Sequence, residues 1–143
     1  VSIENRDEKD SCEQCIKNIL KKLGIMGEKG SYDIIKVCEY IINNNVDISN
    51  MTIRNLCNNF SENPKSMEQR MRRTIAVAMS NIASLGIEDY MNDIFVEYSS
   101  SLFNFEQVKK EMDFIRGKNQ RGGSVNTKKF IAGLITHCEN KNN

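Results

Sequence analysis

From Ser11 onward the apolar residues of this chain recur at every third or fourth position, the interval that lines one face of an α-helix. Alternating β-branched runs are scarce and there is a single proline, so the pattern predicts an all-α fold, a compact bundle of about six or seven helices. A first helix, about Ser11 to Leu23, turns Cys15, Ile16, Ile19, Leu20 and Leu23 inward, with Ser11 as its cap and Gly24 as its stop. A glycine-bearing turn, Gly24 to Gly30, leads into a second helix, Ser31 to Asn43. Its Ile34, Ile35, Val37, Cys38, Ile41 and Ile42 are apolar on more than one side, as in the central helix of a core. Asn43, Asn44 and Asn45 break it, because short amides favour turns.

A short helix, about Thr52 to Asn59, with Ile53, Leu56, Cys57 and Phe60 inward, is followed by a turn at Ser61 to Asn63. The next helix is long, from Asn63 to Leu85, with an apolar stripe at Met67, Met71, Ile75, Ala78, Ile82 and Leu85. Asn63 can accept from an early amide and Pro64 is pre-set for the first helical position. Lys65, Glu68, Gln69, Arg72, Arg73 and Ala76 fall on the outer side. Short helix, tight turn and a second helix with exposed polar and basic groups is the order of a helix-turn-helix embedded in the bundle. A solvated surface helix would carry the same residues. After Gly86, amphipathic segments at Ile87 to Tyr98 and Phe103 to Ile115 are separated by Ser99, Ser100 and Ser101. Gly117 to Asn126 reads as a flexible loop, and a last helix, Thr127 to Cys138, packs Phe130, Ile131, Leu134 and Ile135. The expected division is a disordered lead-in over 1–10, one helical domain over 11–139, and a frayed tail over 140–143.

Composition changes this picture in two places. Net charge is only +1, so any affinity for nucleic acid must come from local clustering. Residues 1–13 hold five acids, while Arg116, Lys118, Arg121, Lys128 and Lys129 lie in an acid-free stretch over 116–129, suited to phosphates or simply to solvent. The five cysteines suit buried thiols better than a disulfide framework. Cys12 and Cys15 have the spacing of half a zinc site, but a core role for Cys15 and an exposed Cys12 fit better, so no metal and no cofactor is expected. His137 has no nucleophile or orienting carboxylate at a recognisable spacing, and Gly122-Gly123 lacks the phosphate-loop order, so no enzymatic activity is expected. No membrane span or secretory leader is visible, which makes the expected location cytoplasmic.

Phe60, the turn, and then Glu68, Arg72, Ile75, Val77, Ala78 and Ser80 in ungapped register resemble the DNA-binding effector domain of the master sporulation response regulator of endospore-forming Firmicutes, stage zero sporulation protein A. Ile48, the Gly24-Ile25 turn with Gly30 and Tyr32, and Phe130-Ile131-Ala132 extend the likeness, which covers residues 16 to 87 continuously and 126 to 137 more loosely. The resemblance implies an all-α bundle with a helix-turn-helix that binds double-stranded DNA as head-to-tail homodimers, alongside a receiver domain or regulatory protein as a further partner. It implies base reading by Glu68, Gln69 and Arg72, with Lys65, Ser66 and Arg73 setting register on phosphates; from their charge alone, Arg121, Lys128 and Lys129 are expected to add phosphate contacts. Gln69 stands where the family has an arginine, and Gln pairs best with adenine where Arg pairs with guanine, which predicts a shifted recognition sequence. Glu68 can accept from cytosine or pair with Arg72 one turn on. Residues 87–126 are longer than their family counterpart. A protein-interaction module that kept the scaffold and lost DNA binding, with Ile87 to Ile115 as its partner surface, is the competing expectation.

Overall fold

The computed structural model describes the backbone of residues 3–141 and the side chains of residues 11–140. Asn63 Oδ1 accepts from Ser66 N at 3.2 Å and Pro64 occupies the first turn, which together start the longest helix, α4, Pro64–Glu88. Before it in the chain lie α1, Ile3–Lys22, α2, Ser31–Asn43, a 3₁₀ turn, Ile48–Asn50, and α3, Ile53–Cys57; after it come α5, Asp93–Tyr98, α6, Phe105–Ile115, and α7, Thr127–Lys141. The described residues contain no strand, so the all-α expectation holds.

α4 is the hub: it packs against α2, α3, α5, α6 and α7, while α2 meets α1, α4 and α7. The expectation that the second helix is central is therefore corrected. α2 is rich in isoleucine but short, whereas α4 has 25 residues and buries Met67, Met71, Thr74, Ile75, Ala78, Met79, Ile82, Ala83 and Gly86. Each large apolar side chain among these contributes roughly 1.5–3 kcal/mol when fully buried, and Ala78, Ala83 and Gly86 let neighbours approach closely.

Two stops follow their local chemistry. Gly24 adopts φ +75°, and Ile25 N donates back to the Leu20 carbonyl at 3.0 Å, closing α1 as its sequence predicts. Asn45 takes φ 49° in the triple-asparagine break after α2. The start of the first helix differs from its expectation. α1 begins at Ile3 instead of Ser11, since neither glycine nor proline interrupts residues 3–22. The lead-in expected over 1–10 falls in part on residues 1 and 2, and the frayed tail in part on 142 and 143, all outside the described residues.

The helix expected over Ile87 to Tyr98 is divided. α4 runs through Gly86, where a Cβ would overlap the Phe95 ring, and ends at Glu88 with Asp89 extended. α5 then starts afresh on Asn92, whose Oδ1 accepts from Ile94 N at 3.0 Å and Phe95 N at 3.1 Å. Cys12, expected outside, is buried, with its Sγ 4.0 Å from the Cys138 carbonyl, and no disulfide links the cysteines. Phe60, expected inward, is 38 % exposed and meets Tyr40 edge-on with ring centroids 5.5 Å apart.

A latch fixes α2 on α4. Arg70 Nε donates to Asp33 Oδ2 at 2.9 Å and its Nη2 to Oδ1 at 3.3 Å, while Gly30 N donates to Thr74 Oγ1 at 3.0 Å. A Cβ on Gly30 would run into the Arg70 carbonyl and the Thr74 hydroxyl, so the glycine is there for close approach; its φ of −81° is ordinary.

Candidate nucleic-acid interface

The buried stripe of α4 dictates what its first turns show to solvent. With Met67, Met71, Thr74 and Ile75 inward, Lys65, Gln69, Arg72, Arg73 and Ala76 are exposed, and Ser66 and Glu68 are half-buried. Ser66 also gives its amide to the Asn63 cap. Arg70, on the same turns, is drawn away to Asp33. Glu68 does not pair with Arg72. Its Oε2 accepts from Arg54 Nε of α3 at 2.9 Å, a pair whose side chains are 27 % and 55 % exposed. An ion pair this wet is worth about 0–1 kcal/mol, so Glu68 can exchange its partner at little cost.

The loop over 117–126 is irregular in backbone but tethered, which corrects the expectation of a flexible loop. Gly123 N donates to Glu111 Oε1 at 3.0 Å and Ser124 N to Gln107 Oε1 at 2.9 Å, so α6 holds the loop down. Val125 is buried beneath it. Gly123 is required there because a Cβ would overlap the Gln107 carbonyl. α7 then begins with Asn126 as its cap, Oδ1 accepting from Lys129 N at 3.0 Å.

Tethering the loop unites residues far apart in sequence. A groove of about 580 Å³ has Glu68 and Arg72 on one wall and Ser124, Asn126, Thr127, Lys128 and Lys129 on another. An adjoining groove of about 510 Å³ joins Gln69, Arg72, Arg73 and Ala76 to Gly123, Ser124 and Val125. A third depression brings Arg121 and Lys110 beside Gln107 and Ser124. Arg72, Ser124 and Gln107 recur between neighbours, so Glu68, Gln69, Arg72, Arg73, Arg121, Lys128 and Lys129 border one connected, mostly cationic face. Lys65 and Ser66 lie at the start of α4 and line none of these grooves.

Lys128 Nζ donates to the Ser49 carbonyl at 3.2 Å, fixing that ammonium beside the 3₁₀ turn. Arg54, Lys110 and Thr127 share the region and were not singled out in the sequence. Arg54 alone carried a local signal, as a polar position on the short helix before the turn. His137 Nε2 lies 2.8 Å from Ser101 Oγ, away from this face, and among the described residues no group of three or more His, Cys, Asp or Glu is arranged to hold a metal ion. No helix among the described residues is long and apolar enough to cross a membrane.

The chain belongs to the YcbB domain family, whose profile matches residues 15–134. It is 29% identical over 134 residues to the transcriptional regulatory protein GlnL of Bacillus subtilis (strain 168). That match takes in 79% of this chain and 43% of the relative, so the chain spans less than half the length of GlnL. No solved structure matches it.

Proposed function

We propose that the chain is the DNA-binding effector domain of a transcription regulator, with α3 and α4 acting as a helix-turn-helix. The start of α4 docks in the major groove of double-stranded DNA, where Gln69 and Arg72 read base edges and Glu68 joins them after leaving Arg54. Lys65, Ser66 and Arg73 set register on phosphates, and Arg121, Lys128 and Lys129 add contacts from the loop and α7. The observation that carries this is the convergence of Gln69, Arg72 and Arg73 with the loop and the start of α7 on one connected face, in a chain with a net charge of only +1. Similarity to a transcriptional regulatory protein supports the same role. Within it, the likeness to the sporulation effector accounts for the Glu68 and Arg72 register, a homodimer on DNA is the working assembly, and a receiver domain or other regulatory protein supplies control. A cytoplasmic location and a function without catalysis go with this reading.

A protein-interaction module is the second reading, and one observation favours it. Tyr90, Met91 and Val96 are 53 %, 76 % and 58 % exposed around the start of α5, within the segment that is long for the sporulation family. Titration with mixed genomic fragments at two salt concentrations separates the two. Selective enrichment with steep salt dependence is expected for the regulator, and no binding even at about 50 mM salt favours the module.

A further inference from the structure

The start of α7 has an unfilled hydrogen-bonding capacity that the fold does not use. Any helix leaves its first amides without an internal acceptor and concentrates partial positive charge there. In α7 the Asn126 cap serves Lys129 N through its side chain and Phe130 N through its carbonyl, at 3.0 Å each. The amides of Thr127 and Lys128 have no protein acceptor among the described residues. Thr127 adds an independent observation: the residue is only 5 % exposed, and its Oγ1 is buried without a hydrogen-bond partner among the described residues. A buried hydroxyl in that state costs stability unless something accepts from it. Valine would fill the same volume without the cost. Thr127 also lines the groove whose facing wall carries Arg72, with Lys128 and Lys129 beside it.

We infer that the N-terminus of α7 is a phosphate-group site, formed by the Thr127 and Lys128 amides and the Thr127 hydroxyl, with Lys129 neutralising the charge. The chemistry selects a tetrahedral oxyanion: several acceptor oxygens meet main-chain donors, a hydroxyl and a cation at a helix start. That the phosphate is one of the DNA backbone rests on the regulator reading above. This anchor then fixes one phosphate against the loop while α4 lies in the groove, a contact set by backbone geometry that loss of any single lysine leaves in place.

The test follows the Thr127 and Lys128 amide resonances of the 15N-labelled protein during titration with the enriched duplex and, separately, with inorganic phosphate, alongside Thr127→Val. The expected result is that the duplex shifts both amides, and that Thr127→Val lowers duplex affinity about tenfold at fixed salt with a Tm equal to or above the parent's. A duplex that binds without moving either amide, and equally well to Thr127→Val, overturns the site and leaves the regulator reading standing. If no duplex binds but inorganic phosphate shifts both amides, the site stands with a free phosphate-bearing ligand and the DNA reading falls. Silence of both amides toward both probes overturns the site.

Discussion

Arg72 and Lys128 border the same groove and serve as a matched pair of substitutions. Arg72→Ala is expected to relax base preference by about 1–3 kcal/mol at one position of the site, read by comparing affinities for single-base variants of the enriched duplex. Lys128→Ala is expected to weaken all of those duplexes alike and reduce the salt slope by about 1; equal behaviour of the two variants counts against docking of α4 in the groove. Glu68→Gln breaks the exposed pair with Arg54, so unfolding should cost no more than about 1 kcal/mol while base preference changes. A different carboxyl reports on the fold. Burial raises the Glu39 pKa above its ordinary 4.5, assisted by the charge of Glu13, while the hydrogen bond from Lys17, 2.9 Å away, lowers that of Glu13. Because folded Glu39 holds its proton more tightly than unfolded Glu39, ionising it costs stability above the raised value, and the cost vanishes as pH falls below 4.5. Glu39→Gln, which keeps a donor toward Glu13, should therefore raise Tm at pH 7 by an amount that shrinks toward pH 4. Glu13 contributes in the opposite sense, with stability present above 4.5 and lost as pH falls through its lowered value.

Between elements, the docking of α2 on α4 depends on what Gly30 lacks. Gly30→Ala forces a methyl against the Arg70 carbonyl and the Thr74 hydroxyl, and overpacking of this kind costs about 1–3 kcal/mol. A lower urea midpoint with unchanged slope is the expected result, and an unchanged midpoint would show that the latch yields freely. Periodicity and caps made most helices legible: α2 has its expected limits, and Asn63 with Pro64 marked the start of α4. Gly86 misled, because a glycine that admits an aromatic ring is indistinguishable in sequence from one that ends a helix. The outward set Lys65, Gln69, Arg72 and Arg73 was equally legible, since it is the complement of a clear apolar stripe. The companionship of Arg72 with Lys128 and Thr127 was not, because it depends on two side-chain acceptors of α6, Gln107 and Glu111, that hold down a loop whose own residues look unstructured. Arg54 taking Glu68 in place of Arg72 is likewise a tertiary choice with no local signal.

At the scale of the whole molecule, a net charge of +1 supplies little long-range attraction, so under the proposed DNA-binding role the cationic face would have to account for any salt dependence. If Lys65, Arg73, Arg121, Lys128 and Lys129 each neutralise one phosphate, five contacts at about 0.9 each give a slope near −4.5 in log K against log salt. A slope near −1 would mean that the loop and α7 stay clear of the backbone. One further limit is set by α4 itself. Its outward set runs from Lys65 to Ala76, and beyond that only Ser84 and Glu88 remain exposed, with Asn81 turned in to the Leu23 carbonyl at 2.9 Å. Eleven steps of about 1.5 Å make a reading edge of roughly 16 Å, the axial length of about five base pairs at 3.4 Å each. If the chain docks on DNA as proposed, one copy would cover too few positions to be unique in a genome, and discrimination among genes would have to come from arranging several copies, or a second protein, along the same stretch of duplex.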